Sequence, residues 1–283
     1  VIIPVDVGGL PIHYNKLKKI INKDEVKNKF NPQSKNQEKL GRILILSDSA
    51  HSFGAKYMGR NVGSDADFTV FSFHAVKNLT TGEGGAICIN LPSPFDNKEI
   101  YKELNTLSLH GQNKDALAKA QKSAWEYDVL DAGFKCNMTD ILSSIGLVEF
   151  DRYESETLPK RKAIFNKYTE SLKKYDWAII PTYIDKERES SYHLYLLRIK
   201  NISLEKRNAI IQEIFNSNVS VNVHYKPLPL LSFYKKLGYQ MSNYCNAQQM
   251  WETEITLPVY YNLTEKNIED VVSALVKAVE NNL

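Results

Sequence analysis

The sequence predicts an α/β protein with a mostly parallel sheet, followed by a smaller α+β portion. Three observations carry this. Apolar runs of strand length recur at residues 1–7, 43–46, 68–73 and 86–89, with a segment of helical period between the first two; strands alternating with helices build parallel sheets covered on both faces. The run 43–46 delivers Ser47-Asp48-Ser49-Ala50-His51, so an acid stands at the carboxyl end of a strand, the edge where open α/β sheets bind ligands. Beyond Trp177 the pattern changes to strands interspersed with helices in an α+β order.

At 283 residues the chain is long enough for one large domain and a smaller one. The break is expected in a linking helix, which gives residues 1–155 and 156–283. The net charge of +3 is spread in mixed-sign runs, which points away from nucleic acid and from a polybasic membrane patch, toward small molecules or protein. Cys88, Cys136 and Cys245 are odd in number and far apart, which argues against a disulfide framework and against a zinc site; Cys88, in an apolar run, is expected in the core. No apolar run approaches the ~20 residues that span a bilayer, and no signal peptide is seen, so the expected location is cytoplasmic.

Taken in order, residues 1–7 read as a buried strand that begins without a lead-in. A helix follows over 14–21, with Tyr14, Leu17, Ile20 and Ile21 on its apolar side. Residues 23–39 are polar, lysine-rich and carry Asn31-Pro32, the mark of an exposed insertion or mobile loop. Strand 43–46 comes next, then buried strands 68–73 and 86–89 on either side of a loop. A helix over 98–109 leads to His110-Gly111-Gln112-Asn113, and a polar stretch reaches Trp125-Glu126-Tyr127. Thr139 or Asp140 suits the N-cap of a long amphipathic helix running to about residue 153. The helix 159–175 places Ile164, Tyr168 and Leu172 at core spacing. Then come strand 192–199, helix 204–216, strand 219–223, a helix near Ser232 and a last helix over 264–279. Val223-His224-Tyr225-Lys226-Pro227-Leu228-Pro229 ends a strand in a proline-stiffened loop, which presents an imidazole and a phenol with little chain freedom to lose.

The chemistry centres on Lys77, in the loop between strands 68–73 and 86–89, together with Gly82, Gly84 and Gly85. A lysine so placed is a solvated charge, a phosphate clamp or an amine that forms a Schiff base. The phosphate-loop pattern needs a glycine directly before the lysine and a hydroxyl directly after it, and the glycines match neither that pattern nor the dinucleotide fingerprint. Asp48 upstream supplies an acid for the same edge.

Four segments, SDSAHSFGAKYMG, GSDADFTVFSFHAVKNLTTGEGG, GFKCNMTDILSSIGLVEF and VHYKPL, resemble the DegT/StrS family of nucleotide-sugar aminotransferases. These are fold-type I enzymes using pyridoxal 5'-phosphate (PLP). The match runs through the chain in order, and the FSFHAVKN block is its most specific part. It implies a PLP-binding large domain, incomplete at its N-terminus, and a small C-terminal domain. It also implies that the family's N-terminal segment, with a helix that binds the PLP phosphate, is missing before residue 1.

The resemblance further implies that Lys77 holds PLP and, freed as an amine, moves a proton between the cofactor and sugar carbons. Asp48 would pair with the pyridine nitrogen, Ser72 would donate to the phosphate, and His51 would stand by the ring where glutamine is commoner. Lys135 takes the place of an asparagine that reaches the neighbouring subunit's cofactor; an ammonium still suits a phosphate. His74, His224 and Tyr225 would border the nucleotide sugar. The implied reaction is transamination of a nucleotide-linked 4-keto-6-deoxy hexose for surface glycan synthesis, with glutamate as amino donor and a homodimer with shared sites. Other readings stay open. Asp48 also suits a cap on a following helix, Ser72 an outward-facing strand position, His51 and His74 structural histidines, Lys135 a solvated charge, and the 223–229 loop a packed strand end. A PLP-dependent sugar dehydratase of the same family and a non-catalytic truncated homologue remain alternatives to the aminotransferase.

Overall fold

The computed structural model describes residues 1–114 and 126–283; Trp125, the start of the expected Trp-Glu-Tyr stretch, lies outside them. The chain divides into two compact units. The first comprises Val1–Val7, Pro11–Phe53 and Arg60–Arg152, the second Gly8–Leu10, Gly54–Gly59 and Tyr153–Leu283.

In the first unit, strand Leu46–Asp48 pairs in parallel with Phe68–Ser72, which pairs antiparallel with Gly85–Ile89. The N-terminal segment lies parallel along the other side, through Ile2 N–H to Leu44 O (2.8 Å), Leu46 N–H to Ile2 O (3.0 Å), Asp48 N–H to Pro4 O (2.9 Å) and Asp6 N–H to Asp48 O (3.0 Å). Pro4 accepts but has no N–H to donate, so this edge position suits it. The expected buried strand at 1–7 is corrected in two ways. Secondary structure there consists of bridges at Ile2 and Val5 and the start of a 3-10 turn at Val7, and Val1, Ile3, Val5 and Val7 face outward while Asp6 is buried.

Strand 43–46 is displaced to Leu46–Asp48, because the pairing of Leu46 with Phe68 and of Asp48 with Val70 sets where the ladder forms. Asp67 fixes the entry: its carboxylate takes both Arg42 Nη1 (2.8 Å) and Nη2 (2.7 Å) and the Ile45 N–H (2.8 Å). Bidentate contact of this kind is among the stronger charge-assisted arrangements. Strand Gly85–Ile89 is mostly exposed and Cys88 is only half-buried, against the expectation of a core strand.

Helix Tyr14–Ile21 forms as predicted and buries Tyr14 and Ile21, but Ile20 is exposed. Residues 23–39 are mostly exposed, as expected, yet contain helices Asp24–Lys27 and Lys35–Leu40. The second of these is closed at its start by Ser34, which accepts the Gln37 N–H, while Gln37 Oε1 accepts the Gln33 N–H. The Ser34-x-x-Gln37 spacing makes the cap legible, although Gln37 reaches the residue before the cap rather than the cap itself, and it outweighs the polar composition. Helix Asn97–Ser108 follows. Thr139 caps helix Asp140–Arg152, on which no residue is buried; its apolar residues face all round rather than along one side.

The second unit has a closed core. Antiparallel strands Ala178–Ile179, Tyr195–Ile199 and Glu254–Leu257 carry helices Leu158–Leu172, Leu204–Asn216 and Glu265–Asn282. Ile164, Tyr168 and Leu172 are buried at the predicted spacing. Phe165 meets Tyr183, Tyr192 and Tyr195 edge-on, with ring centroids at 5.4, 5.2 and 5.1 Å, the arrangement the ring quadrupole favours. Buried Arg161 donates to Tyr192 O (2.9 Å) and His193 O (2.8 Å). The expected strand 219–223 is reduced to one bridge, Asn222 with Thr256.

Candidate active site

Asp48 and Ser72 both end strands of the parallel pair, so they stand at its carboxyl edge. The loop from Phe73 to Gly84 rises from this edge and is closed on itself: Thr81 N–H donates to Phe73 O (2.9 Å) and Phe73 N–H to Gly84 O (2.8 Å). Gly82 holds φ +83° and Gly84 φ +153°, backbone that a side chain would strain. A Cβ on Gly146 would lie 2.9 Å from Thr81 Cγ2, so helix Asp140–Arg152 backs this loop through a glycine.

Lys77 sits in the turn, its N–H donating to His74 O at 2.9 Å. It is half-buried. Burial pushes its ammonium below the usual lysine range, and the nearby charge of Asp48 pulls the other way. The structure thus brings the lysine and the acid, 29 positions apart in sequence, into electrostatic reach. No helix follows Asp48. Its Oδ1 instead accepts the Ala50 N–H (3.1 Å) in an Asx turn, so the alternative of a helix cap is set aside. Ser72 Oγ accepts the His74 N–H (3.3 Å), which leaves the hydroxyl proton as its donor capacity. His51 is buried in the turn after Asp48.

The remaining candidates are dispersed. His74 is exposed, with Nε2 3.6 Å from Glu83 Oε1. Lys135 donates to Asn137 Oδ1 and lines a polar hollow of about 960 Å³ with His110, Lys102 and Lys114, whose lining includes neither Lys77 nor Asp48. His224 and Tyr225 belong to the second unit, their rings edge-on at 4.6 Å.

A buried network behind the acid-bearing turn was not foreseen. Asp6 Oδ2 accepts from Tyr14 Oη (2.8 Å), Ser49 Oγ (2.9 Å) and Ser52 Oγ (2.8 Å), and Oδ1 from the Ile12 N–H (2.9 Å). Burial pushes this carboxyl up against those four hydrogen bonds. Ser49 and Ser52 flank His51, so the network holds the turn that presents Asp48 and His51. The sequence signal was an acid inside an apolar run facing a serine-rich SDSAHS turn.

The family model described as the DegT/DnrJ/EryC1/StrS aminotransferase family matches residues 35–276. The chain belongs to that family. An uncharacterized protein of Methanocaldococcus jannaschii is 37% identical over 244 residues, 85% of this chain and 61% of the relative. The UDP-4-amino-4,6-dideoxy-N-acetyl-beta-L-altrosamine transaminase of Campylobacter jejuni (strain 81-176) is 29% identical over 245 residues, 87% of this chain and 61% of the relative. Among solved structures, a protein of Streptococcus pneumoniae described as a sugar aminotransferase, in its PMP form, matches with a TM-score of 0.92 and 44% identity over 99% of this chain and 69% of that one; its PLP form matches with a TM-score of 0.91 at 42% identity. The fold is therefore that of the fold-type I aminotransferases. The chain spans 61% of the length of the first of these curated relatives. Among the described residues no helix is long and apolar enough to cross a membrane, and no cluster of metal-ligating side chains occurs.

Proposed function

We propose that this family member is a PLP-dependent aminotransferase that converts a nucleotide-linked keto sugar, of the 4-keto-6-deoxy hexose class, to an amino sugar for surface glycan synthesis. The observation that carries the reading is the placing of a half-buried lysine, which burial holds below its usual range, within electrostatic reach of a carboxylate at the carboxyl edge of the sheet. The donor set fits the cofactor: an amine for its aldehyde, an acid for its ring nitrogen and a hydroxyl on the adjoining strand end for its phosphate. PLP, when bound, supplies an electron sink for the carbon being aminated.

The chain's own residues account for the rest. Because Lys77 is held below the ordinary lysine range, a larger share of it is free amine at neutral pH, and only the free amine is a nucleophile and a base. The same Nζ would then move a proton between the cofactor carbon and the sugar carbon, as a base toward one and an acid toward the other. Asp48 would keep a proton on the ring nitrogen by charge, Ser72 would donate to a phosphate oxygen, and His51 would be the ring's neighbour. His74, His224 and Tyr225 are assigned to the sugar nucleotide, with glutamate as amino donor.

The active unit is a cytoplasmic homodimer in which Lys135 serves the cofactor phosphate of the partner subunit. Its place in a hollow apart from Lys77 supports this, as does the uncovered apolar surface of helix Asp140–Arg152.

The test is chemical. Borohydride reduction of the protein with PLP, followed by peptide mapping, should place a pyridoxyl group on Lys77, and Lys77→Ala should remove both the label and turnover while leaving the fold intact. A label retained in Lys77→Ala, or mapped to another lysine, overturns the assignment.

A further inference from the structure

The segment that carries His224 is tied to strand Glu254–Leu257 by a pair of backbone bonds, Asn222 N–H to Thr256 O (3.1 Å) and Thr256 N–H to Asn222 O (2.7 Å). Glu254 and Thr256 are two residues apart on that strand and so share a face. On this face Thr256 Oγ1 lies 2.5 Å from Glu254 Oε1 and 2.8 Å from His224 Nδ1. The other carboxyl oxygen, Glu254 Oε2, accepts the His224 N–H at 2.9 Å. Glu254 and Thr256 are both buried.

A hydroxyl has a single proton to give, so the direction of donation along carboxyl, hydroxyl and imidazole is dictated by the end that cannot donate. With Glu254 ionised, Thr256 donates to the carboxylate and its oxygen accepts from Nδ1–H. A neutral His224 then has no proton on Nε2. With Glu254 protonated, the proton belongs on Oε1, because Oε2 already accepts a backbone N–H. Donation then runs from the carboxyl to Thr256 and from Thr256 to Nδ1, and the ring proton moves to Nε2.

We propose that Glu254 and Thr256 are positioning residues that set the tautomer of His224, so that Nε2 is a hydrogen-bond acceptor when Glu254 is ionised and a donor when it is protonated. Burial pushes the Glu254 carboxyl up to about 7, against the hydrogen bonds from Thr256 and the His224 N–H and against the charge of Arg207. The charged groups around it are Arg207, whose Nη1 donates to Glu254 O at 3.2 Å, Glu252, which acts on Arg207, and Arg198, opposite Glu254 in the strand register. Under the proposed function, on which this consequence alone rests, the ionised state selects a sugar hydroxyl or amide N–H as the partner of His224, and the protonated state selects a carbonyl or phosphate oxygen.

The experiment uses the protein labelled with 15N-histidine, with the His224 signals among the six histidines assigned by their loss in His224→Gln. At alkaline pH, where the imidazole is neutral, the ring nitrogen shifts report which nitrogen carries the proton. Wild type should show the Nδ1–H form. In Glu254→Gln the amide oxygen keeps the His224 N–H and the amide NH2 faces Thr256, which locks donation in the reversed sense, so the Nε2–H form is expected. In Thr256→Val the line is cut, and adding Glu254→Gln should then change nothing. An Nε2–H ring in wild type, or a tautomer that still responds to residue 254 in the Thr256→Val background, overturns the proposal. The wild-type result alone decides if a variant does not fold. Neither cofactor nor sugar enters the measurement, so its failure leaves the Lys77 reading standing, and failure of the Lys77 labelling leaves the tautomer result standing.

Discussion

Helices of similar length meet opposite fates in the two units. Leu158–Leu172 places Ile164, Phe165, Tyr168 and Leu172 against a sheet whose Tyr195, Leu197 and Ile199 are fully buried. Asp140–Arg152 leaves Ile141, Leu147, Val148 and Phe150 at 74%, 66%, 65% and 60% exposed. Apolar exposure on this scale is more than scattered surface residues present, and it is the surface that the proposed association would use. The difference teaches that equally apolar residues serve different ends: in the second unit they stabilise the fold, and in the first they are available for association.

The largest expected effect breaks this comparison if it fails. Leu197→Ala removes a side chain with no exposed surface and should cost about 2–5 kcal/mol of unfolding free energy in a denaturant titration. The same change at Leu147 should leave the unfolding free energy of the dissociated chain within ~0.5 kcal/mol, while Leu147→Asp should shift sedimentation toward monomer. An equal loss of stability at both positions would show that the helix of the first unit is packed after all.

A second prediction sharpens the contrast in pH. Glu254 stands at about 7 in the folded protein against 4.5 unfolded. Between these values the folded state holds a proton that the unfolded state has released, so stability falls as pH rises. The contribution is fully present below about 4.5 and lost as pH climbs through about 7, a change of about 3 kcal/mol by linkage. Glu254→Gln should flatten that slope in urea titrations at a series of pH values. An unchanged slope would mean that the carboxyl is solvated. Asp6 is also raised by burial, so Asp6→Asn should remove a slope of the same sign from the first unit.

Much of this was legible locally. Helices Tyr14–Ile21 and Leu204–Asn216 fall where the sequence pattern places them, because that signal lies within the helix itself. The lysine loop was legible because its glycines and its bracketing strands announce it. Strand ends were less so: Leu46–Asp48 is fixed by its pairing with Phe68–Val70, a tertiary fact. The outward face of Gly85–Ile89 was hidden for the same reason, since an apolar run does not say whether a neighbour covers it. The hubs at Asp6 and Glu254 draw on residues up to 46 and 47 positions away, beyond any periodicity.

The smallest effect comes from the helix caps. Thr264 Oγ1 accepts the Asn267 N–H at 3.2 Å and Asn267 Oδ1 accepts the Thr264 N–H at 3.1 Å, opening a helix that buries Ile268, Val271 and Leu275. Ser34 Oγ accepts the Gln37 N–H at 3.3 Å, opening a six-residue helix that buries nothing. A cap contributes to global stability only if its helix must stay formed for the core to stay closed. Thr264→Ala should therefore cost about 1 kcal/mol, read as a shift in the denaturant midpoint. Ser34→Ala should cost no more than a few tenths of a kcal/mol, because residues 35–40 can fray without exposing any core. Its effect belongs in amide exchange, as faster exchange at Gln37 and Glu38 with the midpoint unmoved. A midpoint shift as large as that of Thr264→Ala would show that the exposed helix is coupled to the sheet, and the contrast between a closed second unit and an open first unit would then fail at this edge.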